Sequence, residues 1–516
     1  MATLFGSNAL TDAYGLSFLI PDIFSYLLIS GALSSAFIPV FSEYFHTDKK
    51  EESWKIFSSV TLILSFAMVV LLGLTWVFME PLAQIAIGGK SAETGFLVTH
   101  MSRILLPAQF AFMLGGLMFA TLYARQQFVT PGISFSVYNL GILFGAICIS
   151  HFVYPGIVGM AWGALLGAYV GNVVIPIWAM RKIGSSFHFR IDLQHPGTRK
   201  VFRLMLPVIF GLSLPYLYMM IARYLGSFYQ DGIVTSLDLS NKLMQLPLGI
   251  FGQSLALAMF PALTQFFAQQ RMDLFRDQLA RTLRTVLYIT LPISMMMIIL
   301  SQDIITALLQ YGKFKTENTV IVAECLQMFA IGISAWCVQP VLMRGFYAIH
   351  NTFTPFVLST LATLAFGFFA AGLGQTSLGY LGIPLAASLT LILFMNITLY
   401  VLNKKVKALD IEGILSTFTK CLFATLLMGI FLWAGARFLP TGEGMMRNMW
   451  AFIRLSVLGL TGAWIYYGTT RLLNIEESRV FDRVFQRLNR LVKSPSPKQI
   501  EVSSPHSITL KEEVRN

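Results

Sequence analysis

Apolar runs of about twenty residues recur along almost the whole of this chain, and they constrain its fold more than any motif does. A run of that length crosses a ~30 Å hydrocarbon core as an α-helix. No water reaches the backbone there, so only helices or closed barrels can satisfy every N–H and C=O. The runs are continuous rather than alternating, which selects helices. Composition agrees: 55% of the residues are hydrophobic and 12% charged, where a soluble chain carries roughly 25% charged residues. The expected fold class is an all-α polytopic membrane protein.

The pattern predicts thirteen hydrophobic helices, near 12–40, 57–79, 103–124, 132–154, 157–181, 203–228, 235–262, 283–308, 323–347, 354–374, 378–401, 415–437 and 450–471. The segment 473–516 is a basic tail. Within it, Val480, Val484, Leu488 and Leu491 fall opposite Arg479, Arg483, Arg487 and Arg490. That spacing reads equally as an amphipathic helix on the membrane surface or as a solvated tail helix.

Loop charge sets an expected orientation. Counting from the first helix, odd loops carry Lys49, Lys50, Lys55, Arg125, the dense run from Arg181 to Arg203, Arg271, Arg276, Arg281, Arg344, Lys404, Lys405 and Lys407. The even loops "YPG" near 154, "GSFYQDG" near 226 and "GQTSLG" near 374 hold no Lys or Arg. Basic loops stay in the cytosol, which places the C-terminus there and Met1 outside it. The net charge of +12 therefore speaks for anionic lipid and topology rather than nucleic acid. Cys148, Cys325, Cys337 and Cys421 all lie in apolar runs without CxxC or Cys/His spacing, so they read as packing residues and no metal site is expected.

The chain also repeats itself. "YARQQFVTP" (Tyr123–Pro131) returns as "YAIHNTFTP" (Tyr347–Pro355) at an offset of 224. "SAFIPVFSEYF" ending at Phe45 matches "LAMFPALTQFF" ending at Phe267, and the Gly88–Lys90 "GGK" matches Tyr311–Lys313 "YGK". "GMAWGALLG" from Gly159 matches "GIPLAASLT" from Gly382, and Asp12 and Pro21 match Asp238 and Pro247. Ordered anchors at near-constant spacing indicate a tandem duplication. The expected units are an N-lobe (1–185), a C-lobe (200–402), two further helices (412–472) and the tail (473–516). The counterpart of the helix at 203–228 would fall before Met1, so the first copy is expected to lack its opening helix, and whether Met1 is the true start stays open. Six helices per complete unit give parallel, pseudo-symmetric lobes, an architecture of alternating-access transporters.

The stretches "FGSNALTDAYGLSFLIPDIF", "GALSSAFIPVFSEY", "QYGKF" (Gln310–Phe314) and "RGFYAIHNTFTP" resemble the MurJ/MviN family. Its members are lipid II flippases within the multidrug/oligosaccharidyl-lipid/polysaccharide exporter superfamily. The resemblance implies fourteen helices in two lobes plus two C-terminal helices. It also implies a cationic central cavity and transfer of undecaprenyl-pyrophosphate-linked peptidoglycan precursor to the periplasmic leaflet of a bacterial inner membrane. Cell-wall synthesis machinery would be a natural partner.

Departures accompany the resemblance. Where the family places a cavity arginine and a glutamate in its second helix, this chain has Ser25 and Ser30. The corresponding second-lobe pair falls on Lys242 and Gln245. A mid-membrane lysine costs at least ~2.5–3.5 kcal/mol on insertion scales, so Lys242 calls for a reason. It reads as a pyrophosphate contact, or else as an i,i+4 partner of Asp238 or a side chain snorkelling to the interface. Asp12 and Asp238 read as gate residues or as caps of their own helices. Arg125 and Arg344 read as steering groups for an anionic headgroup or as topology signals. Arg223, near a helix end, reads as a snorkelling residue, and Gln253, Asn139, Asn172 and Asn396 as sources of interhelical hydrogen bonds.

A membrane enzyme would need convergent carboxylates, paired histidines or a metal motif. The seven histidines are scattered, and no HExxH, GxSxG or P-loop occurs. No cofactor is expected, and coupling to membrane potential or a monovalent cation stays open. The rival readings are an exporter of another polyprenyl-linked glycan or of a drug, and a transport-inactive scaffold in envelope assembly.

Overall fold

The structure, a computed structural model, describes residues 1–24, 32–45, 47, 49–125, 127, 129–213, 217–440, 442 and 446–478. No strand occurs among them. The chain opens with α1 (Ala2–Phe5), α2 (Ala9–Leu16), α3 (Leu19–Phe24) and α4 (Ala32–Phe45). There follow α5 (Lys50–Val77), α6 (Met79–Ile87), α7 (Ala92–Ala124), α8 (Val129–Ile147), α9 (Val158–Tyr169) and α10 (Ile175–Lys182). The middle of the chain holds α11 (Pro196–Ser213), α12 (Leu217–Gly226), α13 (Ile233–Pro247), α14 (Ser254–Ala268), α15 (Met272–Ile299) and α16 (Ser301–Leu309). The last helices are α17 (Thr316–Ala330), α18 (Ile333–Ala348), α19 (Phe353–Gly374), α20 (Gly382–Val406), α21 (Ile411–Phe438) and α22 (Arg447–Leu472). Two π-helical turns, Val170–Val174 and Leu248–Gln253, join α9 to α10 and α13 to α14.

Among the described residues ten helices are long and apolar enough to cross a membrane, or eleven if α17 and α18, bent by 45° to each other, form one span. The other two expected spans, 12–40 and 203–228, run through residues outside the described ones, as does almost all of the tail helix expected within 476–492. Large apolar side chains face outward along the spans, for example Phe66, Val69 and Leu74 on α5. That surface suits a hydrocarbon solvent.

Buried apolar side chains gather in two large clusters. One runs from Ala13 to Met205 and takes in Val234; the other runs from Ala222 to Ile475 and takes in Ala2. The span expected at 203–228 is shared between them. Its α11 packs on α4 and α5 of the first half, whereas α12 packs on α13 and α19 of the second.

Lipid offers no hydrophobic drive for helix association, so close backbone contact has to supply it. On α8 and α9, Gly141 faces Gly167 and Gly145 faces Gly163 so closely that any added Cβ would strike opposing backbone. The repeated Thr-Pro lies within the first turn of α8 and of α19, where proline's missing N–H costs nothing. Asn139, Asn172 and Asn396 each donate to the carbonyl four residues back in their own helix, Phe135, Ala168 and Ile392. Satisfying the amide locally competes with the cross-helix bonds expected of them.

The connections gather at two ends. At one, Arg125 donates from Nη1 to the Ile183 carbonyl (2.6 Å) and stacks over Phe45 (4.8 Å), bringing three basic loops together. At the other, residues 1–12 meet Lys90, 232–236 and 312–313, and 88–90 meet 227–231.

Candidate functional site

The second of these ends is where the two halves hold each other. Asn8 caps α2: its Oδ1 accepts from the Leu10 and Thr11 amides, and Thr11 Oγ1 accepts from the Asn8 amide at 2.9 Å. With that cap in place, the Asp12 carboxylate is free to serve a different helix. Its Oδ2 accepts from the Gly232 amide (2.8 Å), and its Oδ1 accepts from both the amide and the hydroxyl of Thr235 (2.8 Å each). Asp12 therefore caps α13, across the junction, rather than its own helix.

Lys90 completes the arrangement. Its Nζ donates to Asp12 Oδ2 (3.0 Å), to the Tyr229 and Gln230 carbonyls (3.0 and 3.1 Å) and to Asp231 Oδ1 (3.0 Å). The Lys90 side chain is 3% exposed and that of Asp12 0%. A buried ammonium is tolerable only with its donors satisfied, and removing one partner of such a pair costs on the order of 3–5 kcal/mol. Ser7 Oγ adds a bond to the Gly232 carbonyl (2.8 Å) and lies 3.3 Å from Ser236 Oγ.

The repeat makes this grip reciprocal. Gly88 and Gly89 of the first copy press on Ser227 and Phe228, while Gly312 and Lys313 of the second press on Thr3. The Lys313 amide donates to the Thr3 carbonyl at 2.9 Å. Gly88 and Gly312 have φ of +55° and +61°, and a Cβ on either would strike Ser227 Oγ or the Thr3 carbonyl. Both positions need glycine twice over, for backbone conformation and for space.

A second ionic cluster lies deeper. Arg223 on α12 grips Asp238 on α13 in a bidentate pair, Nε to Oδ1 and Nη2 to Oδ2 at 3.1 Å each. Its Nη1 stands 3.7 Å from Asp22 Oδ2 on α3 of the first half. Arg223 is thus an ion-pair centre and not the snorkelling residue its position suggests, and Asp238 is engaged by Arg223. Lys242, one turn further along α13, is exposed, as is Gln245. Asp238 and Lys242 share a helical face, and at Asp238 that face meets Gly15 and Asp22's partner Arg223. Lys242 is thus exposed one turn beyond that contact.

The remaining sequence candidates lie apart. Arg344 on α18 stacks over Phe260 (5.4 Å) and lines a 350 Å³ cavity with Gln253, Trp336, Gln339 and Tyr347. Arg125 is engaged at the basic end, as described. Ser25 and Ser30 lie outside the described residues. Lys90, Asp22 and Asp231 escaped sequence reasoning as functional groups. Only the "GGK" repeat marked Lys90, and nothing local tied it to partners 78 to 141 positions away.

Comparison with known proteins places this geometry. A family model described as "Lipid II flippase MurJ" matches residues 1–449. A probable lipid II flippase MurJ of Buchnera aphidicola is 28% identical over 367 residues, 70% of this chain and 71% of that one. Another from Rickettsia prowazekii is 26% identical over 484 residues, 92% of this chain and 93% of that one. Among solved structures, a lipid II flippase MurJ in an inward closed conformation superposes with a TM-score of 0.75 at 24% identity, covering 92% of this chain and 95% of its own. With a match running through both halves and the junction between them, the chain belongs to the lipid II flippase MurJ family.

Proposed function

We propose that this chain moves lipid II, the undecaprenyl-pyrophosphate-linked peptidoglycan precursor, from the cytoplasmic to the periplasmic leaflet by alternating access. The observation that carries the reading is the ion-paired junction at one end of the molecule, with Lys242 and Gln245 exposed beyond it. A junction sealed on one side with polar groups exposed on the other is what one state of a two-state carrier requires. Family membership supplies the substrate class. The bias of Lys and Arg toward odd loops supports a cytosolic basic end and C-terminus, and hence a periplasmic clasp.

In this reading the two hydrophobic clusters mark the two lobes, and α21 and α22, packed on the second, guide the prenyl tail through lipid. Lys242 contacts the pyrophosphate as a point charge, and Gln245 and Ser25 offer neutral hydrogen bonds beside it. Asp12, with Lys90 and Asp231, forms the outer latch; Asp238, with Arg223 and Asp22, forms the inner one. Arg344 and Arg125 draw the anionic headgroup toward the cytosolic mouth.

The test is lipid II exposure on the outer leaflet of cells depleted of their own flippase, with this chain as the replacement and its membrane level checked by blot. Exposure should be restored, abolished by Lys242→Ala and largely kept by Lys242→Arg. No exposure at a normal membrane level would transfer the reading to another polyprenyl-linked glycan.

A further inference from the structure

The segment joining α10 to α11 carries more than topology charge. Between Arg181 and Arg203 it holds six Lys or Arg residues against a single acid, Asp192. Its middle alternates apolar and polar residues, and the apolar set points outward: Phe189 is 90% exposed, Leu193 60% and Ile191 52%. This extended stretch is pinned along α5. The His188 and Asp192 amides donate to Ser58 and Ser59 Oγ (2.9 and 3.1 Å), and Ser59 Oγ donates to the Arg190 carbonyl at 3.2 Å. His195 Nε2 and Glu52 Oε2, 2.7 Å apart, fix its far end.

Where the segment enters α11 it forms a 400 Å³ pocket lined by Ile63, Leu193, Thr198, Arg199, Phe202 and Arg203. Thr198 is 1% exposed, and its Oγ1 is buried without a hydrogen-bond partner. Arg199 and Arg203 are exposed and one helical turn apart on α11. Depth follows from α5. Its last charged residue is Lys55, and the twenty residues Ser58–Val77 span about 30 Å at 1.5 Å each. Ile63 therefore lies just inside the hydrocarbon boundary, with the exposed Phe66 below it. The pocket thus brings two exposed cations, an apolar wall and a hydroxyl without a hydrogen-bond partner together at this depth.

We propose that this pocket binds an anionic phospholipid of the leaflet at the basic end, cytoplasmic in the orientation given above. Its phosphodiester sits between Arg199 and Arg203 and accepts a bond from Thr198 Oγ1. One acyl chain lies along Ile63, Phe202 and the outer face of α5. Exposed Phe189, Ile191 and Leu193 dip into the same interface. Charge complementarity calls for an anion, and the apolar wall at membrane depth favours a lipid over a protein partner or free phosphate. Because α11 packs on the first half and precedes α12 of the second, a lipid seated here fastens the start of the connection between them.

The test uses the purified full chain in detergent, titrated with phosphatidylglycerol or phosphatidylcholine and read by native mass spectrometry. The intact chain should retain phosphatidylglycerol at least tenfold more tightly. Arg199→Gln with Arg203→Gln should weaken it by roughly thirtyfold, at about 1 kcal/mol per cation near an anionic surface. Thr198→Val, nearly isosteric, should weaken it severalfold. Arg181→Gln with Lys182→Gln, the same loss of charge elsewhere on the segment, should change it less than threefold. Equal losses from both double variants would mean diffuse attraction and overturn the site. So would an unchanged preference in Thr198→Val, or complete competition by millimolar inorganic phosphate. Binding needs no transport, so this outcome is separate from that of the flipping assay.

Discussion

Lys90 shows how far a single residue's role can lie from its sequence context. It stands in a short Gly-Gly-Lys turn, yet its ammonium joins Asp12, Asp231 and two carbonyls across the junction. Lys90→Ala strands Asp12 in a buried site, and the closed junction should weaken by about 3–5 kcal/mol. With the exposed Cys148 replaced and a cysteine at buried Ser236, thiol labelling from the clasp side should quicken at least tenfold. Adding Asp12→Ala removes the stranded charge and should bring the rate part of the way back. Sequence reasoning found Asp12 and Asp238 because duplication puts them in register, and it found Lys242 because a mid-span cation is rare. Their partners were hidden for one physical reason: ion pairs form across folded distance, and Asp12 to Lys90 or Asp22 to Arg223 leaves no local spacing. Arg223 misled for the same reason, since a cation near a helix end has an adequate local explanation.

At the scale of elements, hydrophobic run length made the spans legible, because lipid thickness dictates it. Breaks within spans were less so. The π-turns at Val170–Val174 and Leu248–Gln253 and the 45° bend between α17 and α18 interrupt runs whose composition stays apolar throughout. Glycine pairing was equally hidden in the sequence, because "small" does not say which neighbour approaches. Gly163 faces Gly145 across α8 and α9, whereas Gly459 on α22 has nothing within 4 Å of its would-be Cβ. Gly163→Leu should force those backbones apart, costing about 1–3 kcal/mol or more and lowering the thermal midpoint of the detergent-purified protein by several degrees. Gly459→Leu should leave it within a degree. Equal behaviour of the two would remove α8–α9 contact as a source of stability.

At the scale of the molecule, each half holds the other's opening segment: Asp12 caps α13, and the Tyr311–Lys313 turn closes over Thr3. Ser7 and Ser236 face each other across this joint, 3.3 Å between their oxygens. Cysteines at both positions, with Cys148 replaced, should form a disulfide under mild oxidation. Transport should stop, and reductant should restore it, while either single cysteine stays active. Full transport in the oxidised pair would mean that the halves need not part here. The reciprocal grip also bears on insulation. Releasing Lys90 from only some of its acceptors would leave a bare charge in a low-dielectric place, which disfavours partly opened forms. A partition that opened without a half-open stage would give protons and sodium no channel through the protein, and the voltage stored across the membrane would survive each turnover.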